Sequence, residues 1–593
     1  MRLFNTLTRA KEPLALRRPD AAAVYVCGPT VYDFSHLGHA RCYVAFDTIV
    51  RYLRASGLDV KYVRNFTDVD DKIIARARER GEDAAALAER FIGEFHADMD
   101  ALGVARADVE PRVTTHIGPI VRIVETLLAR GHAYVVPRRD APAGGAGEAD
   151  AAGEARAAAD PGDAAKAGAA AGGDDVYFDV TTFPRYLALS RQDPEELRAG
   201  ARVAAAPGLR NPEDFALWKG AKPGEPSWPS PWGAGRPGWH IECSAMSTEH
   251  LGTGFDLHGG GKDLVFPHHE NEIAQTEAAT GEPCARAWLH NGFVNIAQEK
   301  MSKSLGNFFT VRDVLGRYDA EAMRRFLLSV HYRSDINLEV ALPEDAGGGA
   351  SGTGGGSGPG GTGGGASGTG GGSGPGGTGG GGGGPGGGVS GAGGGGRPAP
   401  PRLPDLEHAE RRVTYGYDTL KKADDFLAAA GGTDAARAAG KDVTPPDRAP
   451  LALFREGMDD DFNTAVALAV LETDVFAPMN ELCDGAGQRK KTPLADRRAT
   501  VARLRGDLER IGAVLGLYRR PPAAALADIR ARAARRLGID EARVQALIAD
   551  RLAAKQAKDF VRADAIRGEL LAQGVELRDR PGGTTDWAIA AAP

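Results

Sequence analysis

Cysteine is scarce in this chain, which has 593 residues but only five cysteines. They are Cys27, Cys42, Cys243, Cys284 and Cys483. An odd and sparse set in a long chain does not indicate a disulfide framework. In a reducing compartment, such thiols are better explained as buried apolar residues or as metal ligands.

Long apolar runs are also absent. No stretch reaches the roughly 18 uninterrupted apolar residues of a membrane span. Residues 1–10 are polar and mixed, and they lack the apolar core of a signal peptide. We therefore expect a cytoplasmic protein that has no membrane partner.

An excess of positive charge is missing too, because the chain carries a formal net charge of −7. That value does not exclude nucleic-acid binding, which depends on local patches. Residues 501–580 contain 17 Lys/Arg against 11 Asp/Glu, a local charge of about +6. Taken alone, this segment favours solvated helix faces with a slight basic bias.

Two segments lack large apolar residues. Residues 140–173 consist mainly of Ala, Gly, Asp and Glu, and residues 346–400 are dominated by Gly. Neither can bury enough surface to offset the entropy of ordering, so we predict two flexible insertions. The rest of the chain has the composition of a globular protein, and the length suggests three or four domains.

The block 22–137 predicts an α/β fold. Short β-prone runs alternate with helical patterns, in the order 23–28, 40–56, 60–65 and 70–80. This order predicts a parallel sheet of βαβ units, and ligands bind such sheets beyond the carboxyl ends of the strands. Residues 27–39 and 65–71 should therefore lie at the mouth of a site.

The later blocks have other patterns. Residues 176–340 return to a mixed α/β character, whereas residues 404–520 have helical spacing. Residues 541–572 have it as well, which predicts one apolar helix face. The residues of that face would be Val544, Leu547, Ile548 and Leu552.

Two short polar motifs could bind phosphate. His36 and His39 follow the turn at Pro29, and on one side of a helical turn their imidazoles can donate hydrogen bonds to phosphate oxygens. Lys300 and Lys303 stand with two serines on a loop that ends in glycine, which suits a triphosphate. Each motif by itself is also compatible with ordinary core or surface residues.

A third motif indicates a metal site. His268 and Glu272 are four residues apart, so one helical face presents both, although an ordinary surface pair has the same spacing. Zinc accepts sulfur, imidazole and carboxylate ligands, and Cys243 and Cys27 could supply thiolates. Spacing leaves four competing ligands open, namely His240, His258, His269 and Glu270.

A run of three glycines, residues 259–261, follows an apolar strand. Such a run implies close approach of the backbone to a ligand, and a plain glycine turn fits equally well. The stretch is not a P-loop, because it does not satisfy GxxxxGK[ST].

In this order, the motifs resemble the class I aminoacyl-tRNA synthetases and, among them, the cysteinyl-tRNA synthetase family. The matching stretches are CGPTVYDFSHLGHAR at 27–41, NFTDVDDK at 65–72, RPGWHIECSAMS at 236–247, DLHGGGKDLVFPHHENEIAQ at 256–275 and EKMSKSLGNFFTVRDVL at 299–315. The first and last define the synthetase class, whereas GWHIECS and FPHHENE are more specific for the cysteine family. The match covers nearly the whole chain apart from the two insertions.

The resemblance implies one Zn²⁺ per subunit. Its ligands would be two thiolates, an imidazole and a carboxylate, supplied by Cys27, Cys243, His268 and Glu272. The substrate L-cysteine would add its own thiolate, and because zinc favours thiolate over a neutral hydroxyl, serine would be rejected without an editing domain. Gly28, Thr67 and Trp239 match family positions near the bound amino acid.

The resemblance also implies ATP accompanied by Mg²⁺. The residues at the nucleotide would be Pro29, His36, Gly38, His39, Gly260 and Lys303. The catalytic residues would be His36, His39, Lys300 and Lys303. The enzyme would form cysteinyl adenylate and transfer cysteine to the terminal ribose of tRNA(Cys), mainly through positioning and charge stabilisation.

The fold implied by the resemblance is a Rossmann-type parallel-sheet catalytic domain with an inserted subdomain, followed by a helical tRNA-binding region. The parts would be the first catalytic half, the insertion, the second half, the stem-contact region, the Gly-rich insertion, a helical bundle and a small anticodon-recognition region. In that order they would span 1–112, 113–235, 236–298, 299–345, 346–400, 401–520 and 521–593. We expect a monomer from the same resemblance.

Three rival functions explain fewer of these motifs. A relative that transfers cysteine to a small amine would typically lack the long C-terminal half. A zinc hydrolase that uses His268 and Glu272 with a metal-bound water leaves the lysine loop and the first histidine pair unexplained. A non-catalytic RNA-binding protein would not need the motifs to be intact.

Overall fold

The computed structural model of the protein describes residues 1–138, 173–193, 208–296, 299–300, 309–341, 401–485, 491–579 and 584–590, with backbone only at 299–300. Almost all of the predicted insertion at 140–173 and the whole of that at 346–400 lie outside the described residues. So do Lys303 and the side chain of Lys300.

The described residues form strands and helices whose bounds are as follows. The strands are β1 (Arg2–Asn5), β2 (Ala10–Pro13), β3 (Ala21–Val26), β4 (Asp59–Arg64), β5 (Ala133–Val136), β6 (Asp175–Phe178), β7 (Phe215–Gly220), β8 (Gly235–Pro237), β9 (Phe255–Gly261), β10 (Ala285–Asn291), β11 (Val294–Ile296), β12 (Glu299–Lys300), β13 (Ile336–Leu338), β14 (Val575–Asp579) and β15 (Thr585–Ile589). The helices are α1 (Leu37–Ala55), α2 (Asp71–Arg80), α3 (Ala84–Ala101), α4 (Ile117–Ala129), α5 (Trp239–Leu251), α6 (Glu270–Thr280), α7 (Val311–Leu315), α8 (Ala320–Leu327), α9 (Pro404–Ala428), α10 (Thr433–Ala439), α11 (Pro450–Asp459), α12 (Thr464–Val470), α13 (Ala477–Asp484), α14 (Leu494–Leu515), α15 (Pro522–Leu537), α16 (Glu541–Gln556) and α17 (Phe560–Ala572).

A parallel four-stranded sheet, in the order β10-β9-β3-β4, carries the first half of the fold. Strands β3 and β4 pair along their whole length and are joined through α1, which is the predicted βαβ unit. Strand β3 is buried after its first residue, as expected for a parallel strand covered on both faces. The predicted α/β fold is therefore confirmed.

A second four-stranded sheet is antiparallel, in the order β5-β6-β7-β8. In the chain it lies between β4 and β9, which belong to the same parallel sheet, so it is an inserted subdomain. Buried residues of both parts share one apolar cluster, which includes Val176 and Trp218 of the insertion and Ile241 and Ile273 of the helices that flank the parallel sheet.

The C-terminal half is mainly helical, as predicted. Helix α14 packs against α1 of the catalytic half. The segment predicted as one helical pattern at 541–572 forms two helices, α16 and α17, separated at Lys558, which has φ +59°. All four residues of the predicted apolar face lie on α16, where Val544 and Ile548 are buried and Leu552 is 38% exposed. The hairpin β14–β15 completes this region and was not predicted.

A second compact unit comprises Val340–Pro404. The structure describes only its two ends, which pair with each other at Ala341 and Arg402. Among the helices that the structure describes, none combines the length and apolarity needed to cross a bilayer.

Candidate active site

The carboxyl ends of β3 and β4 are joined by hydrogen bonds at one edge of the parallel sheet. Gly28, just after β3, donates its backbone N–H to Asn65 Oδ1 at 2.8 Å. A Cβ at this position would lie 1.5 Å from the Asn65 carbonyl oxygen, so only glycine fits. Thr67 N–H donates to the Pro29 carbonyl, and its own carbonyl accepts from Val31, both at 3.2 Å. The two predicted mouth segments therefore meet.

The two predicted phosphate-binding histidines cap the N-terminus of α1. His36 is the N-cap residue, and its Nδ1 accepts from Gly38 N–H at 3.0 Å, while His39 Nδ1 accepts from the His36 N–H at 3.3 Å. The rings stack with centroids 3.9 Å apart. Because both Nδ1 atoms accept, each neutral ring carries its proton on Nε2. The positive end of a 19-residue helix adds its dipole at the same place.

The chain that follows the predicted lysine loop lies against this helix start. Leu37 N–H donates to the Phe309 carbonyl at 3.3 Å, and Val311 N–H donates to the Ser35 carbonyl at 2.8 Å. Before the loop, Lys300 pairs with Asn295 between β12 and β11. Phe309, the first described residue after the lysine loop, therefore contacts Leu37, the first residue of α1.

Four predicted metal ligands meet in one buried cluster, which we call the metal cluster: Cys27, Cys243, His268 and Glu272. Cys27 follows β3, Cys243 is in α5, and Glu272 is in α6. His268 lies in a π-helical turn, Val265–His269, that runs directly into α6, and only Phe266 in that turn departs from helical backbone angles. His268 and Glu272 therefore lie on one helical stretch, as predicted, and His268 Nε2 is 3.1 Å from Glu272 Oε1.

The separations within the metal cluster suit a tetrahedral ion. The two sulfur atoms are 3.5 Å apart, and Cys27 Sγ is 3.3 Å from Glu272 Oε1. Ligand atoms around a tetrahedral zinc stand about 3.3–3.8 Å apart, given bond lengths of about 2.0–2.3 Å. A disulfide would need about 2.05 Å, and both thiols are free.

The ionisation of the cluster also suits a cation. Burial raises the pKa of Cys27 well above its usual range. Burial acts in the same direction on Cys243, but the hydrogen bond from Cys27 and the neighbouring His268 outweigh it and lower that pKa to about 6. Burial also opposes the charge on Glu272, yet His258 and His268 hold its pKa well below normal. Burial lowers the pKa of His268, but Glu272 and Cys243 outweigh this and raise it to about 10. A thiolate and a carboxylate thus share a buried space with a protonated imidazole, and a divalent ion would take the place of that proton.

The structure separates the four competing ligands. Glu270 accepts backbone N–H bonds from Leu189 and Ser190, at 3.1 and 2.7 Å, and so holds a neighbouring segment. His240 Nδ1 lies 3.0 Å from His268 Nδ1, behind that ligand. His258 and His269 remain at the cluster, because together with Cys27 and Glu272 they form a second group with ligand spacing.

In the second group the histidines contact other members of the group, and His269 Nε2 is 3.3 Å from Cys27 Sγ. His258 Nε2 is 2.8 Å from Glu272 Oε2, and His269 Nδ1 is 2.7 Å from His290 Nε2. Its donor set includes one thiol, whereas the metal cluster has two. Because zinc binds thiolate strongly, the chemistry favours the metal cluster of Cys27, Cys243, His268 and Glu272.

The three residues predicted near the amino acid lie around the metal cluster. Trp239, the first residue of α5, has its ring centre 4.4 Å from that of His268. Thr67 donates its hydroxyl proton to Glu242 Oε2 at 2.7 Å, and Glu242 is the residue before Cys243. Burial raises the pKa of Glu242 well above its usual range.

The glycine run ends β9, but protein side chains fill the space beside it. A Cβ at Gly259 would lie 2.2 Å from the Phe46 ring, and one at Gly260 would lie 2.8 Å from the His269 ring. The missing side chains at these two positions thus make room for α1 and for the residues before α6, and contact of the Gly260 backbone with ATP stays a prediction.

Comparison with known proteins agrees with this architecture. The family model of the class I (C) tRNA synthetase catalytic domain matches residues 14–346, and that of the DALR domain matches residues 453–519. A cysteine–tRNA ligase of Anaeromyxobacter dehalogenans (strain 2CP-C) is 46% identical over 595 residues, which cover 99% of each chain. One of Geobacter sulfurreducens is 43% identical, again over 99% of each chain.

The chain belongs to the cysteine–tRNA ligase family of class I aminoacyl-tRNA synthetases.

A solved synthetase shows the same fold at low identity. The methionyl-tRNA synthetase of Mycobacterium tuberculosis, in complex with methionyl-adenylate, aligns with a TM-score of 0.51 and 16% identity. The alignment covers 84% of this chain and 90% of that one. At this identity the likeness concerns the fold alone.

In this member of the cysteine–tRNA ligase family, several polar residues of the site were not singled out from the sequence. Asn65, Glu242 and His290 are all buried beside the predicted residues. Asn65 directly follows β4 and His290 lies near the end of β10, which is where ligands bind in parallel sheets. Their position at a strand end is therefore the sequence feature that could have identified Asn65 and His290. No comparable feature of the sequence identifies Glu242.

Proposed function

We propose that the protein joins L-cysteine to the 3′ end of tRNA(Cys) in an ATP-dependent reaction, through cysteinyl adenylate. The observation that carries this proposal is the buried metal cluster, whose Cys27 directly follows β3 on the segment that leads to the capped start of α1. The two sites suit the two small substrates. Membership of the cysteine–tRNA ligase family supports the same conclusion.

Cys27, Cys243, His268 and Glu272 would hold one Zn²⁺ per subunit. When bound, the ion supplies a position that accepts a thiolate and rejects a hydroxyl. Gly28 and Thr67 would border the substrate on the side of the sheet, and Trp239 would close it from α5. An apolar pocket separates cysteine from serine poorly, so the ligand chemistry would provide most of the selectivity.

ATP would lie over the start of α1, with Mg²⁺. The residues proposed to contact it are Pro29, His36, Gly38, His39, Gly260 and Lys303. The Nε2–H groups of His36 and His39 would donate to phosphate oxygens, and the helix dipole would favour the same negative charge. Lys300 and Lys303 would meet the β- and γ-phosphates and stabilise the charge that develops on the leaving pyrophosphate.

The chemistry requires mainly that the residues hold the substrates in line. A carboxylate oxygen of cysteine forms a bond to the α-phosphorus as the bond to the pyrophosphate oxygen breaks. The terminal ribose hydroxyl of the tRNA then attacks the carbonyl carbon, and AMP leaves with the bonding pair. Positioning and electrostatic stabilisation account for acceleration of this kind, so no covalent enzyme intermediate is needed.

The tRNA would contact the helical half. We propose that the catalytic domain comprises residues 1–112 and 236–298, with the insertion at 113–235 and the stem-contact region at 299–345. A bundle at 401–520 and an anticodon-recognition region at 521–593 would bind the rest of the tRNA. The local charge of about +6 at residues 501–580 supports phosphate contacts, which salt should weaken. We propose a monomer in the cytoplasm.

Cysteine-dependent exchange of pyrophosphate into ATP tests the proposal. We expect exchange with L-cysteine, almost none with L-serine, and loss of exchange after zinc chelation, with recovery when zinc is restored. Charging of tRNA(Cys) is measured in parallel. Absence of exchange with zinc present would overturn the adenylate step, and exchange without tRNA charging would indicate another acceptor.

A further inference from the structure

Glu242 is a buried carboxyl group to which the proposed reaction gives no role. It lies in the first turn of α5, three residues after Trp239 and directly before Cys243. Only 1% of its surface is exposed. Its Oε2 accepts the hydroxyl proton of Thr67 at 2.7 Å. Burying a carboxyl group is costly, so this contact requires a reason.

The hydrogen bond fixes how Thr67 can interact with a ligand. The backbone of Thr67 is held on both sides, by the carbonyl of Pro29 and the N–H of Val31. A threonine hydroxyl has one proton and two lone pairs. Because this proton is donated to Glu242 Oε2, which in a neutral carboxyl group is the carbonyl oxygen, only acceptor capacity remains on the Thr67 oxygen for a ligand.

The place of this hydroxyl relative to the metal cluster indicates which ligand group it meets. Asn65, two residues before Thr67, accepts from Gly28 N–H at 2.8 Å and has its Oδ1 3.7 Å from Cys243 Sγ. Glu242 and Cys243 are adjacent on α5. In L-cysteine the thiol and the α-ammonium group are likewise close, separated by two carbon atoms, and the ammonium group needs acceptors.

We infer that Glu242 is a positioning residue that makes the Thr67 hydroxyl an acceptor for the α-ammonium group of L-cysteine. This inference rests on the proposed function. Two neighbouring residues of α5 would then act on different groups of one substrate. Cys243 would lie on the side of the thiolate, and Glu242 would act on the amine through Thr67.

The test compares L-cysteine with 3-mercaptopropionate, which has the thiol and the carboxylate but no amine. In Glu242→Leu, we expect KM for L-cysteine in pyrophosphate exchange to rise about 10-fold or more, as for loss of a hydrogen bond to a charged group. The inhibition constant of 3-mercaptopropionate should change by less than about twofold, and bound zinc should stay at one per chain. Glu242→Gln keeps the acceptor oxygen and should remain within about threefold of the natural protein.

Equal weakening of both ligands, or loss of zinc, would show that Glu242 only supports the fold or the metal, and would overturn the inference. So would an unchanged KM in Glu242→Leu. If that variant does not fold, Thr67→Val should show the same selective loss, with a higher KM for L-cysteine and an unchanged inhibition constant for 3-mercaptopropionate. Absence of cysteine-dependent exchange in the natural protein would contradict the proposed function instead, so the two failures are distinguishable.

Discussion

The metal cluster and the start of α1 lie at the same end of the parallel sheet, but they are assembled in different ways. The metal cluster takes its four side chains from three segments, far apart in the chain, that meet in a buried space. The helix start takes both histidines from one turn, and each histidine also caps the helix. One site depends on tertiary packing and the other on local backbone geometry. The two should therefore respond differently to substitution.

The largest effect should come from the metal cluster. Cys243→Ser replaces a thiolate with a neutral hydroxyl, a much weaker zinc ligand. Since removing an outer-shell partner alone costs 10–100-fold in affinity or activity, we expect at least about a 100-fold loss of exchange and of zinc affinity. Elemental analysis gives the zinc content, and pyrophosphate exchange gives the activity. Cys284→Ser, a buried cysteine outside the cluster, is the matched control, and it should keep its zinc.

Substitution at the helix start should lower turnover and leave zinc in place. In His39→Gln the side chain can still accept from the N-cap N–H, but it loses the imidazole. We expect kcat for adenylate formation to fall about 100-fold, as when one electrostatic donor is removed. His39→Ala should add a loss of roughly 1 kcal/mol of stability, because the cap is lost too.

The control for this experiment is zinc content, which should equal that of the natural protein in both His39 variants. If His39→Gln lost zinc, the two regions would not be independent, and the comparison would fail. Thermal unfolding measures the stability lost with the helix cap, whereas kcat measures the loss of the electrostatic donor.

Gly28 and Gly260 differ in whether backbone or side chains fill the space beside them. An alanine at Gly28 meets the backbone of Asn65, which cannot move without separating the ends of β3 and β4. An alanine at Gly260 meets the tips of His269 and Leu264, which are side chains. We expect Gly28→Ala to abolish exchange and zinc binding, and Gly260→Ala to cost about 1–3 kcal/mol in the free energy of unfolding, as for an overpacked core. Equal effects would contradict this difference.

The smallest effect should occur between the sheet and the insertion. Asp71, at the start of α2, pairs with Arg236 and with Lys219, the latter at 2.6 Å. Burial raises its pKa, but the two cations outweigh this and lower it. The stabilisation is therefore present above the unfolded-state value of about 3.9 and is lost as pH falls through the folded-state value.

Because the Asp71 side chain is 54% exposed, solvent screens the pair. We expect Asp71→Asn to cost less than about 1 kcal/mol at neutral pH and a smaller amount at pH 2, where more of the carboxylate is protonated. Chemical denaturation at the two pH values measures this. A loss of several kcal/mol at neutral pH would mean that the contact between α2 and the insertion is a buried one.

The sequence by itself determined the order of strands and helices in residues 22–80, the parallel sheet, the expectation of a site beyond the strand ends and the kinds of ligand available. These are local properties, because periodicity and strand ends are set within about ten residues. The pair His36 and His39 was predictable for the same reason. His268 and Glu272 were found by their spacing, because the turn that holds His268 runs directly into α6.

Beyond what the family resemblance implied, only the tertiary structure decided which residues meet in the metal cluster. Spacing along one helix cannot report that Cys27 reaches Cys243 across 216 positions, or that Glu270 is occupied by Leu189 and Ser190. The same holds for Glu242, which acquires its partner Thr67 only through packing of α5 against the end of β4. Contacts between distant segments depend on the packing of whole elements, and no local pattern encodes them.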